Sequence, residues 1–347
     1  MNVLKTYRVG ELTLTKIPEL ILTGFTPRTL LAHVVDDVST NAPDWAVSES
    51  VDRATGSVLL SVHTWLVKSP HHTILIDTGI GNDKNRPTLP IMDHLQEPYL
   101  ERLAEAGVEP AAVDYVLITH LHADHVGWNT RRSGGRWIPA FPNARYVFSA
   151  LEQKYCAGLA VADGRVEAAR VEANLGSPAR TPAPGVYADS VEPVIEGLAQ
   201  LIKIDGGELI EGVSFHPTPG HSIDHAAILL QSKGERAVFG GDVLNHPLEI
   251  YRPDLVSVFC EFPEFARRSR QWLLAYVAET GAMYFCSHFP AASAGRIMQH
   301  NGCLRFGSLI TVFSQKAAES SGDRSELAII RGNAPMAVHQ CLNIRRP

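Results

Sequence analysis

The chain has 347 residues, 45% of them hydrophobic, and a formal net charge of -6. That is enough apolar material for a single large core, and an acidic balance without a long Lys/Arg run argues against nucleic acid as a partner. The opening stretch MNVLKTYRVGELTLTKIPEL alternates polar and apolar residues instead of presenting the continuous apolar run of an export signal, and no later run reaches membrane-spanning length.

A cytoplasmic protein with no membrane partner is therefore expected. The five cysteines, Cys156, Cys260, Cys286, Cys303 and Cys341, are odd in number and include no C-x-x-C pair. They suggest neither a disulfide framework nor a cysteine metal site, and are expected to be reduced and mostly buried.

In chain order, VLLSVHTWLV (58–67) and TILIDTG (73–79) are rich in β-branched and aromatic residues and flank the turn-prone KSPHH. They read as adjacent strands, the second ending at Asp77. Residues 94–106, HLQEPYLERLAEA, read as a helix stopped by Gly107, after which VDYVLITH resumes as a strand. Directly after it, THLHADHVG crowds metal-capable side chains into six positions, and a helix is expected from about Val126. Residues 151–200 read as a helical insertion able to cover a site. GVSFHPTPGH, HAAILLQS and RAVFGGD are again apolar runs ending in polar loops. PEFARRSRQWLLAYVAETG (263–281) reads as an amphipathic helix with Pro263 at its start and Gly281 at its end, followed by the strand AMYFCSHF. The tail at 309–347 has no clear pattern. Alternating strands and helices predict a layered α/β fold in one domain spanning 1–347, with its core at about 58–298.

Imidazole and carboxylate are common ligands for zinc and similar divalent ions, and a strand end followed by a loop can aim alternate side chains at one point. On this reading His120 and His122 share one ion, while Asp124 and His125 point to a neighbouring one. His221, Asp242 and His288 each stand just past an apolar run, where a layered α/β protein assembles its site. Together they complete two coordination shells.

The ordered set His120-Leu-His122-Ala-Asp124-His125, followed by His221 in TPGH, Asp242 in GGD and His288, with Asp77 in IDTG before it, resembles the metallo-β-lactamase fold superfamily. The resemblance implies an αββα sandwich, one ion on His120, His122 and His221, a second on Asp124, His125 and His288, and Asp242 bridging them. Asp77 would orient a ligand loop from behind. The sequence departs from the usual pattern in placing Trp128 directly after Gly127.

Two such ions sharing a water can make hydroxide available at neutral pH and polarise the bond it attacks. Asp124 and Asp242 are thus the candidate catalytic residues. The stretches GGDVLNHPLEIYRPD and SHFPAASAGRI are similar to the branch of N-acyl homoserine lactonases and methyl parathion hydrolase-like enzymes. The expected function is hydrolysis of a small neutral ester or lactone by the shared hydroxide, with phosphotriester cleavage as the alternative. A nuclease and a diiron redox protein on the same fold rank lower. Trp128, His246, Tyr251 and Phe259 are the candidate substrate contacts. Zinc is the first choice of metal, with manganese, cobalt or iron accepted by the same ligands, and a homodimer is expected from the resemblance.

Overall fold

The computed structural model describes residues 4–32, 38–300 and 302–308. Two seven-stranded sheets dominate it. The first runs, in spatial order, through Thr6–Val9, Leu12–Leu22, Leu60–Lys68, Thr73–Ile76, Tyr115–Leu117, Arg145–Ser149 and Ala199–Ile202. Its first four strands are antiparallel, and from Thr73–Ile76 onward the pairing is parallel. The second comprises Glu208–Ile210, Val213–Pro217, Ala226–Ser232, Glu235–Phe239, Met283–Phe285, Ala294–His300 and Cys303–Ser308.

Strand alternation explains why both faces of each sheet are covered. Trp65, Val67, Ile74 and Ile76 of the first sheet share one core with Phe215, Ile228, Leu230 and Phe239 of the second. The intervening Leu66 and Leu75 turn the other way, onto Tyr99 and Leu103 of the helix Tyr99–Glu105 and onto Tyr155 of the helix Ala150–Val161. Across the molecule, Leu229 and Val238 meet Leu273, Leu274 and Val277 of the helix Pro263–Thr280. Helices outside two face-packed sheets make the expected αββα sandwich.

Several boundaries differ from the sequence reading. The helix expected over 94–106 begins only at Tyr99. Pro98 precedes it, and the loop before is held by Asn82, whose side chain bonds the Glu97 N–H and C=O. The helix expected near Val126 instead begins at Ala123, so Asp124 and His125 lie in its first turn. The sandwich also exceeds the expected 58–298 core, because the strands Thr6–Val9, Leu12–Leu22 and Cys303–Ser308 belong to its sheets.

The helical region 151–200 connects two adjacent parallel strands, Arg145–Ser149 and Ala199–Ile202. Such strands require a long crossover, which these helices supply. A buried bidentate pair, Arg86 to Asp189 at 2.6 and 2.8 Å, ties this crossover to the loop after Thr73–Ile76.

Cys156, Cys260 and Cys286 are free and buried, as expected. Cys303 is disulfide-bonded, which corrects the expectation of uniformly reduced cysteines. Cys341 and the tail at 309–347 lie outside the described residues. No helix among the described residues is long and apolar enough to cross a membrane.

Candidate metal centre

The strand Thr73–Ile76 ends at Asp77, which takes the left-handed conformation at φ 53°. Asp tolerates that region better than most residues. Its Oδ1 accepts the Thr119 N–H at 2.9 Å, joining the ends of two parallel neighbours. His120 and His122 follow, and the short helix Ala123–Val126 then turns Asp124 and His125 back toward the same point. That turn depends on Gly127, since a β-carbon there would lie 1.7 Å from the Ile80 carbonyl oxygen. His221, Asp242 and His288 come from loops that follow strands of the second sheet. The site therefore sits where the strand ends of both sheets meet.

Seven side chains converge. His120, His122 and His221 place one ligand atom each within 4.8 Å of one another, as do Asp124, His125 and His288, and as do His120, His125 and Asp242. Asp242 lies between the groups: its Oδ2 is 3.2 Å from His221 Nε2, while its Oδ1 is 3.2 Å from His125 Nε2 and 3.0 Å from His288 Nε2. His122 Nδ1 faces His221 Nε2 at 2.9 Å.

The outward nitrogens set the tautomers. His125 Nδ1 lies 2.9 Å from Asp77 Oδ2, and His288 Nδ1 lies 3.0 Å from the Ser61 carbonyl. Both partners accept, so each ring carries its proton outward and leaves Nε2 bare toward the centre. The Thr119 hydroxyl donates to Asp77 Oδ2 and stands 3.1 Å from His120 Nδ1, which gives His120 the same orientation. His122 Nε2 faces Glu261 Oε1 at 2.9 Å, so this ring alone presents Nδ1 inward.

Three observations fit divalent cations here. His120 Nε2, His125 Nε2 and Asp242 Oδ1 are buried with no hydrogen-bond partner, an expensive arrangement unless something else takes the lone pairs. Burial holds His120 and His221 well below the ordinary imidazole value, keeping them in the neutral form that binds metal. Burial also opposes charge on His125, yet Asp242, Asp77 and Asp124 together push it well above that value. A point that attracts positive charge against desolvation favours a cation.

Behind Asp242, the backbone N–H donates to His225 Nε2 at 3.0 Å, and His225 Nδ1 meets Thr218 Oγ1 at 2.8 Å. Asn245 Nδ2 donates to Asp242 Oδ2 at 2.8 Å. Glu249 accepts the Asn245 and His246 N–H groups and pairs with the fully buried Arg270 at 2.5 Å. The Asp242 loop is thus anchored to the helix Pro263–Thr280.

An open cleft leads to the centre, with His122, Asp124, His221, Asp242 and His288 at its floor. Its walls are mostly apolar, with Leu22, Phe25, Leu60, Met92, Ala183 and Phe259 among the lining residues. Phe25 and Phe259 pack edge to face at 5.2 Å. Arg180, over the Phe259 ring at 5.4 Å, is the one charged residue of the lining beyond the floor among the described residues.

Of the four expected substrate contacts, Phe259 lines this cleft. The others are placed elsewhere. Trp128 is buried, stacked on Tyr99 at 4.9 Å, with its N–H on Glu19. His246 is fully buried between the Ser50 carbonyl at 3.1 Å and the Leu248 N–H. Tyr251 turns away to the Asn41 carbonyl at 3.2 Å. Sequence reasoning did not find Glu261, Asn245 or Arg180. A lone acid inside the otherwise apolar VFCEF was the only local sign of Glu261.

A family model described as the metallo-beta-lactamase superfamily matches residues 58–288. The fold is similar to the hydrolase AbOPH of the beta lactamase superfamily, with 22% identity, a TM-score of 0.70, and coverage of 90% of this chain and 99% of that one. It is also similar to AidC, a dizinc quorum-quenching lactonase in complex with its product, at 18% identity and a TM-score of 0.69, covering 89% and 98% of the two chains. An N-acyl homoserine lactone hydrolase with N-hexanoyl-L-homoserine at its catalytic metal centre matches at 18% identity and a TM-score of 0.50, covering 81% and 94%.

Proposed function

The chain belongs to the metallo-beta-lactamase superfamily, and from that premise we propose that it is a two-ion hydrolase that opens the ester bond of a small, largely apolar ester or lactone. The observation that carries this reading is Asp242, whose two oxygens divide between the His221 side and the His125 and His288 side. His120, His122 and His221 would hold one ion, and Asp124, His125 and His288 the other, with Asp242 shared. A nitrogen-rich set of this kind suits zinc. When bound, paired divalent ions supply Lewis acidity and a water acidic enough to attack near neutral pH.

The chain's own residues do the rest. His225 holds the Asp242 backbone N–H and Asn245 holds its Oδ2, which together fix the direction of the carboxylate. Asp124 is more exposed than the other carboxylate of the set and lines the cleft, so its carboxylate oxygen would take up a proton during attack and return it to the leaving alkoxide. The walls from Leu22 to Phe259 exclude water from the apolar part of the substrate. Two of the similar structures are described as acting on acyl homoserine lactones, which supports the choice of carbonyl ester over phosphotriester.

The test is a rate comparison, on protein of measured metal content, among an N-acyl homoserine lactone, an aryl ester and a paraoxon-like triester. The lactone or the ester should be turned over fastest. Preference for the triester would shift the assignment to organophosphate cleavage, and turnover of none of the three would end this reading.

A further inference from the structure

Each histidine set contains one ring whose outward nitrogen faces a buried carboxylate. For the set with Asp124, His125 and His288 that carboxylate is Asp77, on His125. For the set with His120, His122 and His221 it is Glu261, whose Oε1 lies 2.9 Å from His122 Nε2. Glu261 is wholly buried, and besides His122 its carboxylate has the Tyr155 hydroxyl as a neighbour. A desolvated carboxylate is a poor packing element, which points to a task at its contact with His122.

The backbone around Glu261 narrows that task. Its N–H donates to the His221 carbonyl at 3.0 Å, and the next N–H, of Phe262, donates to the Gly220 carbonyl at 2.8 Å. Cys260 Sγ stands 3.7 Å from His221 Nδ1. One short segment thus touches the outer sides of both His122 and His221, whose inner nitrogens face each other at 2.9 Å. One position before it, Phe259 forms part of the cleft wall.

From these contacts we infer that Glu261 is the positioning residue of the His120, His122 and His221 set. It accepts the His122 Nε2–H, which leaves Nδ1 bare and aimed inward, while its own segment holds the His221 loop at the matching distance. Asp77 reaches His125 directly and His120 through Thr119, whereas of the two sets Glu261 contacts only that of His120, His122 and His221. The inference rests on the reading of the seven side chains as ligands of two ions and is independent of the substrate.

The experiment is zinc binding by chelator competition on the parent, Glu261→Gln, Glu261→Ala and Asp77→Asn, with proton–nitrogen NMR of the histidine rings in the zinc-loaded proteins. In Glu261→Ala one of the two binding steps should weaken about 10- to 100-fold. Glu261→Gln, which keeps an acceptor oxygen without the charge, should fall between it and the parent. The His122 ring N–H, protected in the parent, should exchange faster in both variants, while Asp77→Asn, which acts through His125 and Thr119, leaves that exchange unchanged. Unchanged binding in both Glu261 variants would overturn the inference. So would equal weakening of both steps together with a lower melting temperature, since that describes general loosening. A parent protein that binds no zinc would remove the two-ion reading itself, whereas a two-zinc parent with unaffected variants removes only the role of Glu261.

Discussion

Trp128 donates its indole N–H to Glu19 Oε1 at 2.7 Å, across 109 positions of sequence. The same carboxylate accepts the backbone N–H of Ile80 at 2.7 Å and of Gly81 at 2.9 Å. Glu19, from an early strand of the first sheet, therefore joins the loop after Asp77 to the turn after His125. The aromatic residue that departs from the usual motif pattern serves this junction and not the substrate cleft.

Burial, outweighing those three hydrogen bonds, pushes the Glu19 carboxyl from 4.5 up to about 7. The folded protein thus holds a proton that the unfolded chain releases earlier. Its contribution to stability is full below the unfolded value and falls as pH rises from about 4.5 toward about 7. Glu19→Gln has no such proton. Urea unfolding at about pH 5 and about pH 8 should show a deficit of the variant that shrinks as pH rises; a deficit that grows with pH would contradict this assignment.

The pair Arg270 and Glu249 is buried on both sides, so removal of the cation strands an uncompensated charge. Arg270→Ala should lose ~3–5 kcal/mol of stability and loosen the Asp242 loop, because Glu249 also holds the Asn245 and His246 N–H groups. Chemical denaturation measures this. A loss below ~1 kcal/mol would mean that the pair behaves like one on the surface.

His246→Ala and Phe259→Ala should separate stability from substrate response. His246→Ala removes a buried ring and strands the Ser50 carbonyl, at a cost of ~2–4 kcal/mol, and leaves the ranking of substrates unchanged. Phe259→Ala opens the cleft wall and should raise KM for longer acyl chains ~4–15-fold, the worth of one or two buried methylenes. Steady-state kinetics on an acyl-length series reads both. A changed ranking in His246→Ala would return that residue to the cleft.

These residues also show what the sequence could and could not convey. The candidate cluster is legible because its chemistry is contiguous, from His120 to His125, and because His221, Asp242 and His288 each follow an apolar strand. Coordination needs residue types at strand ends, and both are visible in one dimension. The direction of His246 is not, since it depends on the turn at Pro247 and on a bond from the Leu248 N–H that draws the ring inward. The cleft walls come from segments near Leu22, Leu89, Arg180 and Phe259, brought together only by the folded sandwich. Glu19 carries no local mark either, because its partners are backbone groups of distant loops.

Removal of metal should destabilise the protein. Ions that bind only the folded form stabilise it by ~4 kcal/mol when present at ~1,000 times the dissociation constant, and here they would also relieve the bare lone pairs of His120, His125 and Asp242. A chelator should lower the melting temperature and added zinc should restore it. A melting curve indifferent to both would argue that the cluster holds no ion.

The most direct test of the two-ion hydrolase is metal content and lactone hydrolysis measured on one preparation, for the parent and for Asp242→Ala. The account predicts about two divalent ions per chain in the parent, turnover that disappears on chelation and returns with added ions, and loss of ions and turnover together in the variant. Full turnover by protein free of divalent ions, or an Asp242→Ala variant as active as the parent, would contradict it.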